Sequence, residues 1–255
     1  MSSANRFGYE WGKYYWLNPD YEIQFQKWLG LFGPEIFQNK KVLDAGCGMG
    51  RNSFWALKYG AKELTAFDFD RRTIQAAKKN LAAFPNARVE FGSIYDINWR
   101  DEFDIVFCIG VIHHLAQPPK AIEKLIDAAK PGGMVLIWVY GYEGNEWLIR
   151  FIGPLRKYFT SKLPPSLLHI FSYFFAAPLW LFVKLPGEKS PYLKQLSKFR
   201  FSHILSIVFD QLLPPIANYY KKDEARELLS SHSRLQNIGI TSCNQNSWTV
   251  YGYKI

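Results

Sequence analysis

Lys41-Val42-Leu43-Asp44-Ala45-Gly46-Cys47-Gly48-Met49-Gly50 decides the fold. Lys41 to Ala45 reads as a short buried strand, and the glycines after it stop the strand in a tight turn. Asn52 to about Tyr59 is then helical, with Gly60 as the C-cap. Glycines between a strand and a helix let backbone N–H groups approach a ligand at the helix N-terminus, so the segment points to a nucleotide-type site.

Outward from it, apolar runs alternate with helical patterns. Glu63 to Asp68 is a second strand, and Arg72 to Leu81 a helix with Ile74, Ala77 and Leu81 on its apolar stripe. Val89-Glu90-Phe91 is a short third strand, while Phe103 to Cys108 is nearly all apolar, as a strand buried on both faces must be. Pro119 to Lys130 is an amphipathic helix, ended by Pro131-Gly132-Gly133 before a fifth strand, Met134 to Val139. Lys222 to Ser230 reads as a last helix, followed by a strand pair at Leu235–Ile240 and Trp248–Tyr253. This alternation predicts an α/β fold: a mostly parallel sheet with helices on both faces, closed by an antiparallel C-terminal pair.

Residues 142–220 break the pattern. They are rich in aromatics, punctuated by Pro154, Pro164-Pro165, Pro178, Pro186, Pro191 and Pro214-Pro215, and read as an insertion of short helices after strand five. The expected organisation is residues 1–30 as an aromatic helical lid, 31–141 with 221–255 as the ligand-binding core, and 142–220 as the insertion.

Lys plus Arg exceed Asp plus Glu by 31 to 22, a surface field that draws phosphates, acidic metabolites or anionic headgroups without choosing among them. The three cysteines, Cys47, Cys108 and Cys243, form no C-x-x-C pair, so neither a metal site nor a disulfide framework is expected. Met1 to Phe7 lacks the apolar run of a secretion signal, and a reducing cytoplasm is the expected compartment.

Two carboxylates narrow the ligand. The dinucleotide fingerprint is G-x-G-x-x-G, whereas here the third glycine comes one residue early and Asp44 stands two residues before Gly46. An anionic side chain is a poor neighbour for a pyrophosphate and a good one for an ammonium. S-adenosylmethionine carries that ammonium and no phosphate. Asp68, 22 residues beyond Gly46, is placed to accept hydrogen bonds from both ribose hydroxyls, and Phe69 to lie against adenine.

With these residues in hand, the chain resembles the class I methyltransferases, particularly the type-11 group that includes quinone-biosynthesis C-methyltransferases. The likeness covers roughly Lys40 to Tyr140 and, more weakly, Lys221 to Ile255. Val42 to Gly50 is similar to that group's first motif and Ala66-Phe67-Asp68 to its ribose-binding motif. Phe103 to Val106 followed by Gly110 to Leu115 is similar to its fourth motif, and Lys130 to Gly133 to its fifth. Gly92-Ser93-Ile94 departs, standing where such enzymes often have Gly-Asp and an apolar residue. The resemblance implies a Rossmann-like, seven-stranded sheet and S-adenosyl-L-methionine as cofactor. Asp44, Gly46, Cys47 and Gly48 would surround its methionine part, Asp68 and Phe69 its ribose and adenine, and Ser93 with Ile94 the adenine edge. Cys108, Ile109 and Gly110 would pass beneath the sulfonium. Methyl transfer from a sulfonium is an in-line displacement driven by placement and desolvation, and requires no metal.

His113 and His114 follow strand four at the carboxyl edge, where open α/β sheets bind ligands. Either imidazole is a candidate base toward the acceptor; the competing reading is that one caps the following turn. Phe7 to Trp16 is read either as a lid whose rings support the sulfonium or as a helix packed on the sheet edge. Ser166 to Val183 is long enough to span a bilayer, but a single crossing would separate the last helix and strands from their sheet. The readings kept are an apolar wall over the acceptor, a surface dipping into a membrane interface beside Arg156, Lys157, Lys162 and Lys184, and extra core or a dimer surface.

Rival functions lose their marker residues. Cys108-Ile109-Gly110-Val111 stands where an amino methyltransferase of adenine would show Asn/Asp-Pro-Pro-Tyr/Phe, and no cysteine has the Pro or Thr neighbour of an RNA cytosine-5 nucleophile. The expected acceptor is small or lipid-like, with peripheral membrane contact as a further expectation, and nucleic acid is not the favoured partner. RNA methylation is the first alternative because the positive charge attracts phosphate, and a non-catalytic cofactor-binding scaffold is the second.

Overall fold

The computed structural model describes residues 6, 7, 9 and 16–255. Most of the aromatic segment read as a lid, Gly8 and Glu10 to Tyr15 included, lies outside the described residues.

Seven strands form one sheet: β1 (Lys41–Ala45), β2 (Glu63–Asp68), β3 (Ala87–Phe91), β4 (Phe103–Ile109), β5 (Ala129–Tyr140), β6 (Leu235–Cys243) and β7 (Ser247–Lys254). Their order is β3-β2-β1-β4-β5-β7-β6. β1 to β5 pair in parallel, and β7 joins antiparallel to both β5 and β6. The Rossmann-like sheet with its antiparallel terminal pair is therefore present.

Alternation along the central strands feeds two cores. In β4, Ile105 and Phe107 enter one apolar cluster while Val106 and Cys108 enter the other. The first face is covered by α1 (Asp20–Trp28), α2 (Arg51–Lys58) and α3 (Arg71–Asn80), which contribute Phe25, Leu57 and Ala77. The second is covered by α4 (Pro118–Ala128), through Ile122 and Leu125, and by α9 (Lys222–Ser230), through Ala225 and Leu229.

The fifth strand starts earlier than its sequence suggests. Ala129 already pairs with Phe103, after which the register shifts and Met134 pairs with Ile105. Lys130-Pro131-Gly132-Gly133 is thus an irregular lead-in to the strand rather than a helix end, with Gly132 at φ +76°.

Between β5 and α9 the chain forms α5 (Glu146–Tyr158), a short 3-10 turn, α6 (Pro165–Lys184), α7 (Pro191–Leu196) and α8 (Phe201–Leu212). The expectation of short helices needs correction, since α6 runs 20 residues. Pro178 lies inside it without ending it, and one face is held by packing on α8. This region has its own apolar core, including Leu168, Ala176, Val183, Phe199, Ile204 and Phe209. Its two ends meet: the Tyr142 N–H donates to the Tyr220 carbonyl at 2.8 Å, and the Tyr220 N–H to the Tyr140 carbonyl at 3.0 Å. A segment clasped at both ends in this way leaves the sheet and returns to it at one point.

Candidate active site

The strand order reverses between β1 and β4, and a crevice opens at the carboxyl ends of strands flanking such a point. The two loops there lie against each other. Gly46 takes φ +78°, and a Cβ placed on it would come within 2.5 Å of the Val111 side chain. Gly48 and Gly50 also have positive φ, so the turn is built from conformations that glycine alone adopts without strain.

One cavity of about 1050 Å³ runs from this turn to beneath the inserted helices. Gly46, Cys47, Gly48, Asp68, Phe69, Ser93, Ile94, Ile109, Gly110 and His114 all line it. Asp44, Cys108 and His113 do not, and each absence has a physical reason.

Asp44 points away from the crevice, into the sheet–helix interface, where its Oδ2 accepts a 2.6 Å hydrogen bond from Ser53 Oγ on α2. It is buried, and burial pushes its carboxyl up to about 7 despite that bond. Cys108 faces the opposite apolar core. His113 is fully buried with its ring stacked on Tyr140 at 3.8 Å, and burial lowers its basicity far below the usual range.

His114 is the member of the pair that reaches the cavity. Its Nδ1 lies 2.7 Å from the Ile216 carbonyl. A carbonyl can only accept, so Nδ1 carries the proton and Nε2 keeps a lone pair. Burial brings the imidazole down to about 4, which keeps it neutral at physiological pH. Phe7 packs on it at 4.8 Å and lines the cavity as well. Nearby, Arg6 is buried and donates to the carbonyls of Leu213 and Thr160 at 2.7 and 3.1 Å. These described residues of the N-terminal segment therefore touch the inserted helices and His114.

Asp68 sits where β2 ends, accepting from the Gly48 N–H and from the Asp70 N–H, both at 3.0 Å. These bonds tie the acid to the glycine turn, while burial raises its carboxyl. Cys47 and Cys108 are buried thiols pushed up by burial and by the Asp44 and Asp68 charges, which favours packing over nucleophilic chemistry.

Several cavity residues were not singled out in the sequence. Arg51, the first residue of α2, lies over the rings of Tyr21 and Trp28 at 5.1 and 5.0 Å. Its place directly after Gly50 was the available signal. Under the inserted helices a polar cluster closes the far end: Tyr140 receives a hydrogen bond from Gln211 Nε2 at 3.0 Å, and Tyr219 receives one from Arg156 at 3.3 Å. Asp210 lines the same end and is pushed up to about 6 by burial, against the lowering influence of Arg51 and Arg156. These residues converge only through tertiary packing of α8 and β5, which no local motif encodes. Ile152, Leu179, Phe182 and Leu193 form the apolar wall opposite.

The glycine turn and Asp68 suit a nucleoside with an amino-acid tail: the turn allows close backbone approach, and a carboxylate faces the cavity beside it. Among the described residues no group of His, Cys, Asp and Glu could hold a metal ion.

Comparison with known proteins agrees with this geometry. A methyltransferase-domain family model matches residues 36–146. The mitochondrial ubiquinone biosynthesis O-methyltransferase of Schizosaccharomyces pombe is 35% identical over 105 residues, 40% of this chain and 38% of that protein. A tRNA U34 carboxymethyltransferase of Campylobacter hominis is 30% identical over 121 residues, 45% of this chain and 41% of that protein. This chain thus spans about two fifths of the length of either relative. Among solved structures, a SAM-dependent methyltransferase from Thermotoga maritima superimposes with a TM-score of 0.59 at 12% identity, covering 99% of this chain and 100% of that one. Residues 36–146 of this chain are a methyltransferase domain, built on the class I, Rossmann-like sheet.

Proposed function

We propose that the chain is an S-adenosylmethionine-dependent methyltransferase acting on an oxygen or carbon of a small or amphiphilic acceptor. The observation that carries this reading is the single cavity joining the glycine turn and Asp68 to a neutral His114 and the Tyr140–Asp210 cluster beneath an apolar cover. Cofactor and acceptor can then meet in one space, and proximity there supplies much of the rate.

The cofactor, when bound, supplies a methyl group on a sulfonium, an electrophile that needs no metal. Gly46 and Gly48 present backbone to its amino-acid end, Asp68 accepts from the ribose, and Phe69, Ser93 and Ile94 border the base. Arg51, which lines the cavity over the Tyr21 and Trp28 rings, would pair with its carboxylate. Asp44 acts through the turn, as a buried charge behind it rather than by direct contact. His114, held in one tautomer by Ile216, takes a proton from the acceptor as the displacement proceeds. Asp210 and the two tyrosines orient a polar acceptor group, and Ile152, Leu179 and Phe182 receive its apolar part.

Residues 142–220 serve as the cover, and Phe7 borders the side next to His114. The apolar wall favours a small or lipid-like acceptor. The likeness to tRNA U34 carboxymethyltransferases and the formal charge of +9 support RNA as the second reading. Incubation with methyl-labelled S-adenosylmethionine and fractionated cell extract separates them. Label in the organic-soluble fraction supports the first reading, and label in RNA, with binding that collapses in salt, replaces it with the second.

A further inference from the structure

The outer face of the inserted helices is unlike the rest of the surface. Residues 147–187 contain no Asp or Glu, and Arg150, Lys157, Lys162 and Lys184 among them are exposed. On α5, Trp147, Phe151 and Tyr158 are exposed along one side. On α6, Leu167, Ile170, Phe174 and Leu181 recur at helical spacing on the side turned from the protein, Phe174 being 73% exposed. Phe159, directly after α5, meets Phe171 of α6 by ring contact at 5.9 Å. Monomeric proteins rarely leave so many large apolar side chains together in water.

The helix is long and apolar enough to cross a bilayer, yet its other side is sealed against the protein. Leu168, Ala176 and Val183 are buried in the core shared with α8, and His169 and Ser172 are buried beside them. A helix half covered by its own protein, with cations flanking its bare half, fits a position lying flat in a lipid headgroup region. The absence of acids matches the negative surface potential of such a membrane. The patch is also continuous with the cavity, since Trp147 and Phe182 are exposed on it and line the cavity wall as well.

We infer that the α5–α6 face docks on the surface of an anionic bilayer, with the cavity mouth turned toward the lipid. Docking stands on the surface alone. Its use, entry of an apolar acceptor directly from the bilayer, rests on the methyl-transfer reading.

The test is sedimentation of the full chain with vesicles of phosphatidylcholine alone and of phosphatidylcholine mixed with phosphatidylglycerol. Apparent affinity for the mixed vesicles should be at least tenfold higher. The combined Phe151→Ser, Ile170→Ser and Phe174→Ser variant, altered only at exposed positions, should lose at least tenfold of it while melting at the wild-type temperature. No binding to either vesicle, equal binding to both, or full binding by the triple variant would overturn the inference. So would light scattering that shows a dimer dissolved by the triple variant, because a second copy would then cover the face. S-adenosylmethionine titration of the same preparation keeps the two claims apart: its failure removes the methyltransferase reading and leaves the vesicle result standing.

Discussion

Ser53 Oγ donates to Asp44 Oδ2 at 2.6 Å behind the glycine turn, in a setting where burial holds the Asp44 carboxyl at about 7. The acid that suggested a cationic ligand is therefore not a surface contact but a buried charge whose ionisation depends on what occupies the crevice in front of it. Binding a cation there favours the ionised form, so affinity and proton release are coupled.

The first prediction is a pH dependence. The free protein holds the Asp44 proton below about pH 7. S-adenosylmethionine affinity should then fall as pH drops through 7, by up to about tenfold per unit. Asp44→Asn should bind more weakly at pH 8 and show a flatter profile, both read by calorimetry. For folding the sign runs the other way. The native carboxyl is raised above its ordinary value of 3.8, so this group's contribution is most favourable at low pH and is lost as pH rises toward 7.

Asp68→Ala removes the acceptor of the Gly48 and Asp70 N–H groups, and with it the ribose contact proposed for this carboxylate. Charge-assisted hydrogen bonds of this kind contribute roughly 1.5–3 kcal/mol, so cofactor affinity should drop about 10- to 100-fold. Calorimetric titration of the variant checks it.

The two histidines should separate by experiment. His114→Gln at saturating cofactor should lower kcat about 10²- to 10⁴-fold with cofactor affinity little changed. His113→Ala should instead lower the melting temperature, because it empties a fully buried site stacked on Tyr140. With His114 brought down to about 4, the acid limb of kcat assigned to this base should lie well below the usual histidine range.

All three cysteines are buried and free, and burial raises each thiol. Reaction with a thiol reagent at pH 7 should show no fast-reacting group in the native protein and three after unfolding.

How far these features could be seen in advance follows from how local their causes are. β1 and β2 have the bounds expected from sequence, since a strand buried on both faces writes itself as an apolar run ended by a turn. β5 is longer than its sequence suggests because proline and glycine, the usual breakers, here sit in a register shift within the strand's own lead-in. The glycine turn and Asp68 were legible as a spaced motif. The direction in which Asp44 points was not, because it depends on Ser53 arriving from the next helix. Choosing between His113 and His114 needed the Ile216 carbonyl, 102 residues away, and the Tyr140–Asp210 end of the cavity exists only once α8 packs beside β5.

The central claim is that the crevice between the β1 and β4 loops holds a phosphate-free, positively charged nucleoside. Calorimetry of the pure, folded chain tests it most directly. Saturable binding of S-adenosylmethionine and S-adenosylhomocysteine, lost in Asp68→Ala, with no heat from NAD, is the predicted result. Tight NAD binding with indifference to both sulfur nucleosides would contradict the account.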